Sequence, residues 1–165
     1  MQDRTSKTEY YLDIADAVQS RSTCLRRRYG AIIVNNDEIL ATGYNGAPRG
    51  RKNCNDLMFC TREQMNIPSG QRYELCRSVH AEANAIISGA RRDMLGGTMY
   101  LVGRDAKHGG LLQDTTPCSM CRRLIINAGI DKVVTRIGKG RYSTVEVARW
   151  IEADDTMPDL DPVKE

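Results

Sequence analysis

His80, Glu82, Cys118 and Cys121 are the residues of this chain whose types and spacing could do chemistry. They sit in two short stretches, His80-Ala81-Glu82 and Pro117-Cys118-Ser119-Met120-Cys121. One imidazole and two thiols with two residues between them offer three ligands to a zinc ion. Catalytic zinc keeps three protein ligands and leaves its fourth position to water, whereas structural zinc has that position closed. Glu82 stands beside a ligand without being an obvious ligand itself. A carboxylate there can take a proton from an activated water and return one to a leaving group. Taken singly, each residue has a plainer reading. His80 could be a satisfied core histidine, Glu82 a favourable acid in a first helical turn, and the cysteines a redox pair or a structural half-site. Together they point to zinc-assisted hydrolysis.

Both groups fall where helices should start. Ser78 is placed to cap a helix running from His80 to Arg92, which Gly96-Gly97 breaks. Thr116 or Pro117 should open the next helix, Cys118 to Ala128, with Gly129 as its stop. Free backbone N–H groups and the macrodipole put partial positive charge at such starts, which favours thiolates. A tension remains in this scheme. Residues i and i+2 point to different sides of a regular helix, so His80 and Glu82 converge only if the metal sits over the helix end.

The remaining elements follow from periodicity. Thr8 to Ser22 carries apolar residues at helical spacing. Ala31 to Val34, the turn Asn35-Asn36-Asp37, and Glu38 to Gly43 form a hairpin. Tyr44 to Ile67 has no periodicity, and so long a loop in a compact domain is usually functional or tied down. Thr98 to Val102 and Lys132 to Thr135 are further strands, joined through the second helix as a right-handed parallel crossover. Gly103 to Thr116 reads as a polar loop, Thr144 to Ala153 as a last helix, and 154–165 as an acidic tail. The expected architecture is α/β: one three-layer domain over residues 1–165, a mixed sheet flanked by helices.

Bulk properties narrow the partners. The chain has 165 residues, a net charge of +3 and 5% aromatic residues. That falls short of the strongly basic footprint of a nucleic-acid binder but suits a small anionic substrate. No apolar run reaches membrane-spanning length, and Met1 to Thr8 lacks the apolar region of a signal peptide. Six cysteines without an export signal fit a reducing compartment, so a cytoplasmic location is expected.

Three blocks carry a family resemblance: Tyr29-Gly30-Ala31-Ile32-Ile33-Val34, Thr42-Gly43-Tyr44-Asn45-Gly46-Ala47-Pro48-Arg49-Gly50, and His80-Ala81-Glu82-Ala83-Asn84-Ala85-Ile86. With Pro117-Cys118-x-x-Cys121 they resemble the zinc-dependent cytidine and deoxycytidylate deaminase family, most closely its deoxycytidylate branch, from about Thr23 to Lys132. The resemblance implies the cytidine deaminase fold and hydrolytic deamination of dCMP to dUMP, feeding thymidylate synthesis. It implies zinc on His80, Cys118 and Cys121, with Glu82 as the catalytic proton shuttle. Asn45 and Gly46 would meet the nucleotide, Tyr100 would line the pocket, and Arg91 would be an intersubunit or regulatory arginine. The family is typically a homo-oligomer, often a hexamer. Many members are activated by dCTP, accompanied by Mg2+, and inhibited by dTTP. The segment Gly103 to Thr116, with Arg104, Lys107 and His108, departs from the family pattern and could reshape the pocket mouth.

Four cysteines remain: Cys24, Cys54, Cys60 and Cys76. A closed second zinc site on these four would explain how the long loop is held; the alternative is free buried thiols. Cys24 and Cys54 match positions that bind a second zinc in some relatives. Arg26-Arg27-Arg28 and Arg49-Gly50-Arg51-Lys52 lie beside the resemblance blocks, and one of their arginines could bind phosphate. Rival functions are deamination of dCTP, cytidine or a tRNA base, and a non-catalytic nucleotide-binding zinc module. Glu82 speaks against the last, since a structural site needs no such carboxylate.

Overall fold

The computed structural model describes residues 4–153, so the expected tail at 154–165 lies outside the described residues. Helix α1 (Lys7–Gln19) is opened by Ser6, whose hydroxyl accepts from the Glu9 backbone N–H. Strands β1 (Arg27–Asn35) and β2 (Glu38–Tyr44) form the expected hairpin. Asn36 and Asp37 both take positive φ at its two-residue turn, the backbone that a tight hairpin of this length demands. After β2 the chain makes only short pieces: α2 (Cys54–Leu57), α3 (Thr61–Gln64) and a single 3₁₀ turn at Tyr73–Leu75.

Next come α4 (Ala81–Ile87), α5 (Arg91–Met94) and β3 (Thr98–Asp105). They are followed by α6 (Ser119–Ala128), β4 (Lys132–Gly138), β5 (Arg141–Glu146) and α7 (Ala148–Ala153). The sheet runs β2-β1-β3-β4-β5. Only β3 and β4 pair in parallel, across α6, and the other pairs are antiparallel. The sheet is therefore mixed, as expected.

Alternation along the strands separates two cores. Ile32, Val34, Val102 and Val134 pack against Tyr11, Leu12 and Ala15 of α1. Ala31, Ile33, Met99, Leu101 and Val133 face Ala81, Ala85, Ile125 and Ala128 of α4 and α6. Successive strand residues point to opposite faces, so the result is three layers. The backbones meet closely: a Cβ on Gly43 would stand 2.3 Å from the Ala81 carbonyl oxygen. That contact seats α4 directly on β2. Gly129 ends α6 in the left-handed region, with φ 75°, where a side chain is disfavoured.

Two expected helices need correction. The stretch from His80 to Arg92 is two helices, because the first ends at Ser88-Gly89 and the chain re-enters α5 at Arg91. Its cap is His80, not Ser78. Thr144 to Glu146 belong to β5, and helix begins only at Ala148. Strand β5 is an edge strand with five of its six residues exposed. It therefore carries no apolar alternation from which it could be read.

Candidate active site

The starts of α4 and α6 meet beside the sheet, and His80 and Cys118 are their N-caps with extended backbones. Cys121 is the third residue of α6. A cap residue and the third helical residue face each other across the first turn, as in a capping box, so the x-x spacing brings both sulfurs to one point. His80 lies outside the regular helix, which dissolves the tension over His80 and Glu82: the i, i+2 rule applies only to residues that are both helical.

The ligand atoms of His80, Cys118 and Cys121 all lie within 4.8 Å of one another. His80 Nδ1 is 3.5 Å from Cys118 Sγ and 3.4 Å from Cys121 Sγ. A tetrahedral zinc, about 2.3 Å from sulfur and about 2.05 Å from nitrogen, separates such ligands by about 3.5 Å. The donor set and its spacing therefore fit zinc. Among the described residues no other group of three histidines, cysteines or acids comes as close.

The electrostatics agree with the geometry. A hydrogen bond from Cys121 holds the Cys118 thiol well below the usual thiol range, and His80 adds to the effect. Cys121 keeps the proton of the pair and is pushed up by the same bond, by burial and by Glu82. Burial lowers the His80 pKa, but Cys118 and Glu82 outweigh it and leave it raised. Glu82 is buried, and burial pushes its carboxyl above the usual range despite the nearby imidazole. It reaches Cys121 with its side chain. A desolvated carboxyl next to a metal-ligand set has the raised affinity that proton exchange near neutral pH requires.

The other expected residues divide. Asn45 lines the cleft above the triad. Its Oδ1 accepts from Ser22 Oγ at 2.6 Å and from the Tyr29 N–H at 2.8 Å, and its Nδ2 donates to the Arg27 carbonyl at 2.9 Å. Asn45 thus ties the ends of β1 and β2 together, leaving its second Nδ2 hydrogen without a protein acceptor among the described residues. Gly46 bridges to Val79 and lines a neighbouring cleft with Arg21, Arg49 and Arg51, not the one above the triad. Tyr100 is a correction. It packs on Tyr11 with ring centroids 5.0 Å apart, on the α1 side of the sheet. Met99 and Leu101 occupy the side where the triad lies.

Arg91 is exposed and donates from Nε to the Asn127 carbonyl at 2.7 Å, near the C-terminus of α6. Of Gly103 to Thr116, only Thr116 lines the triad cleft. Arg104 instead pairs with Asp16 and the Gly109 carbonyl. Cys54 and Cys76 each sense Cys24 and Cys60, and burial raises both thiols. The four thiols share one neighbourhood, but no three of them converge as the triad does.

Residues of the cleft wall that carry no site signal in the sequence include Tyr29, Arg62, Ser69 and Tyr73. The Tyr73 ring meets His80 edge-on at 4.9 Å, and the Arg62 guanidinium lies 4.5 Å from the centre of the Tyr73 ring. Arg62 and Tyr73 fall in or beside the loop without periodicity, so no pattern marked them.

A family model described as the cytidine and deoxycytidylate deaminase zinc-binding region matches residues 5–137. The chain is 37% identical to a deoxycytidylate deaminase of Mycobacterium phage D29, over 76% of this chain and 91% of that protein. It is 36% identical to a deoxycytidylate deaminase of Schizosaccharomyces pombe, over 79% of this chain but only 37% of that longer relative. Among solved structures it resembles a dCMP deaminase from cyanophage S-TIM5 in complex with dCMP and dUMP. The TM-score is 0.56 at 26% identity, covering 82% of this chain and 84% of the other.

Proposed function

This chain belongs to the cytidine and deoxycytidylate deaminase family, and from that premise we propose that it hydrolyses dCMP to dUMP and ammonia. The observation that carries the reading is the triad of His80, Cys118 and Cys121 with the buried carboxyl of Glu82 at its side. Similarity to deoxycytidylate deaminases supports the choice of nucleotide.

His80 Nδ1 and the two sulfurs would hold zinc, which when bound supplies a Lewis acid that lowers the pKa of water to about 7. The tautomer that leaves Nδ1 free carries its proton on Nε2. Glu82 accepts one proton from the attacking water and passes it to N3 of the cytosine ring, then takes the second from the new C4 hydroxyl and delivers it to the departing amino group. Water adds at C4, the C4–N bond breaks, and the products are dUMP and ammonia. Asn45 would use its remaining N–H to meet the sugar.

The finer assignments belong to the same proposal. Cys24, Cys54, Cys60 and Cys76 would close on a second zinc, supported by their shared neighbourhood and by the Arg26 N–H donated to Cys24 Sγ. The cleft lined by Arg21, Arg49 and Arg51 would suit a dCTP or dTTP effector with Mg2+. Arg91 has donors left for a neighbouring subunit of a homo-oligomer. We place the protein in the cytoplasm; among the described residues no helix is long and apolar enough to cross a membrane.

Turnover of dCMP, deoxycytidine and dCTP by zinc-loaded protein, with and without added dCTP and dTTP, tests the reading. A clear preference for dCMP is expected, and equal rates on all three would defeat it. Metal analysis of the same samples tests the second site, which a single zinc per chain would rule out.

A further inference from the structure

Three arginines line the cleft above the triad: Arg26, Arg27 and Arg62. They differ in what already occupies them. Arg26 Nε stands 3.1 Å from Glu63 Oε1, so its charge is matched. Arg27 is exposed and hydrogen-bonded to the Tyr29 side chain. Arg62 is only 6% exposed, and among the described residues no carboxylate lies within ion-pair distance of it. Its Nη2 donates to the Pro68 and Gln71 carbonyls at 2.8 and 2.7 Å, which fixes the plane of the fork. Its Nε is buried without a partner, and its Nη1 has no protein acceptor among the described residues.

A buried cation without a counter-charge is costly, and a guanidinium prefers the paired oxygens of a phosphate or carboxylate. The position also suits a ligand. Arg62 stacks at 4.5 Å on Tyr73, and Tyr73 meets the metal-ligating ring at 4.9 Å. Arg62 and the triad residues His80 and Cys118 therefore line one cleft, with Tyr73 between them.

We propose that Arg62 binds the 5′-phosphate of the substrate and sets the preference for a nucleoside monophosphate over the free nucleoside. The inference rests on the dCMP reading above. Recognition of a phosphate remote from the reacting carbon is uniform binding, so it appears in KM and not in kcat.

The test compares dCMP with deoxycytidine as substrates of wild type, Arg62→Lys, Arg62→Gln and Arg26→Gln, each with its zinc content measured. Loss of charged hydrogen bonds raises KM for dCMP roughly ten- to a hundredfold in the Arg62 variants. Their kcat, zinc content and deoxycytidine kinetics stay close to wild type, which also shows that they fold. Equal losses on both substrates would mean that Arg62 only orders the 60–76 loop. A selective loss in Arg26→Gln with none at Arg62 would move the site to Arg26. Either outcome overturns the assignment.

A measurement on wild type needs no variant: inorganic phosphate raises KM for dCMP and leaves KM for deoxycytidine unchanged. Phosphate without effect on dCMP turnover overturns the proposal as well. Wild-type protein that deaminates neither substrate overturns the reading beneath it. Wild type that prefers dCMP while both Arg62 variants keep that preference overturns the assignment alone.

Discussion

Against one face of the sheet lies α1, against the other α4 and α6, and apolar side chains seal both faces. The polar groups on the two sides do different things. On the α1 side, Arg136 is buried between Glu9 Oε2 at 2.7 Å and Asp13 Oδ1 at 2.8 Å, and Arg104 pairs with Asp16. Tyr11 meets Tyr100 and donates to Asp37. These groups pair with one another, although Glu9 Oε1 and Arg136 Nε stay buried without a partner, and what they produce is attachment. On the other side the helices arrive end-on. His80 and Cys118 cap them, and the two cysteines and the His80 ring converge beside the buried carboxyl of Glu82. Polar groups closed on themselves hold a fold together. Groups left open at helix starts wait for a ligand.

That contrast predicts opposite phenotypes. Cys118→Ser should have the largest effect: zinc no longer binds at the triad and dCMP turnover falls below detection, with circular dichroism close to wild type. Arg136→Met should do the reverse. It lowers unfolding free energy by about 1–3 kcal/mol, toward the low end because Asp13 is mostly solvated, and leaves kcat/KM unchanged. A loss of kcat/KM in folded Arg136→Met would break the division between the faces.

Tyr100→Phe sharpens the correction made above. Stability should change by no more than about 0.5 kcal/mol and kinetics not at all, whereas a pocket residue would change KM. The smallest effect is alkaline. The hydrogen bond to Asp37, with help from burial, raises Tyr11 to about 12. The unfolded chain releases that proton near pH 10 and the folded chain holds it, so stability is intact below about pH 10 and lost toward pH 12. Denaturant midpoints across this range should fall in wild type and fall less in Tyr11→Phe.

Much of the reactive face was legible from residues alone. Proline, glycine and the spacing of the ligands mark helix ends, and the metal needs those ends. The hairpin was legible because Asn36 and Asp37 suit positive φ. Tyr100 was not, because β3 is apolar toward both faces and such a strand carries no in-out signal. Asn45 read as a ligand-binding residue, and the fold adds what the sequence did not show: two of its hydrogen bonds join the ends of β1 and β2 and a third comes from Ser22. Arg62 could not be told from Arg49 or Arg51, since only the fold decides which cation loses its solvent.

The central claim is that the open side is built for zinc-assisted proton transfer, with Glu82 as the shuttle. Glu82→Gln keeps the shape of the side chain and removes the exchangeable proton. Zinc content and dCMP turnover measured on the same sample test the claim directly. We predict zinc at the wild-type level and kcat lower by about 10²- to 10⁴-fold. Full zinc occupancy with wild-type turnover would contradict it.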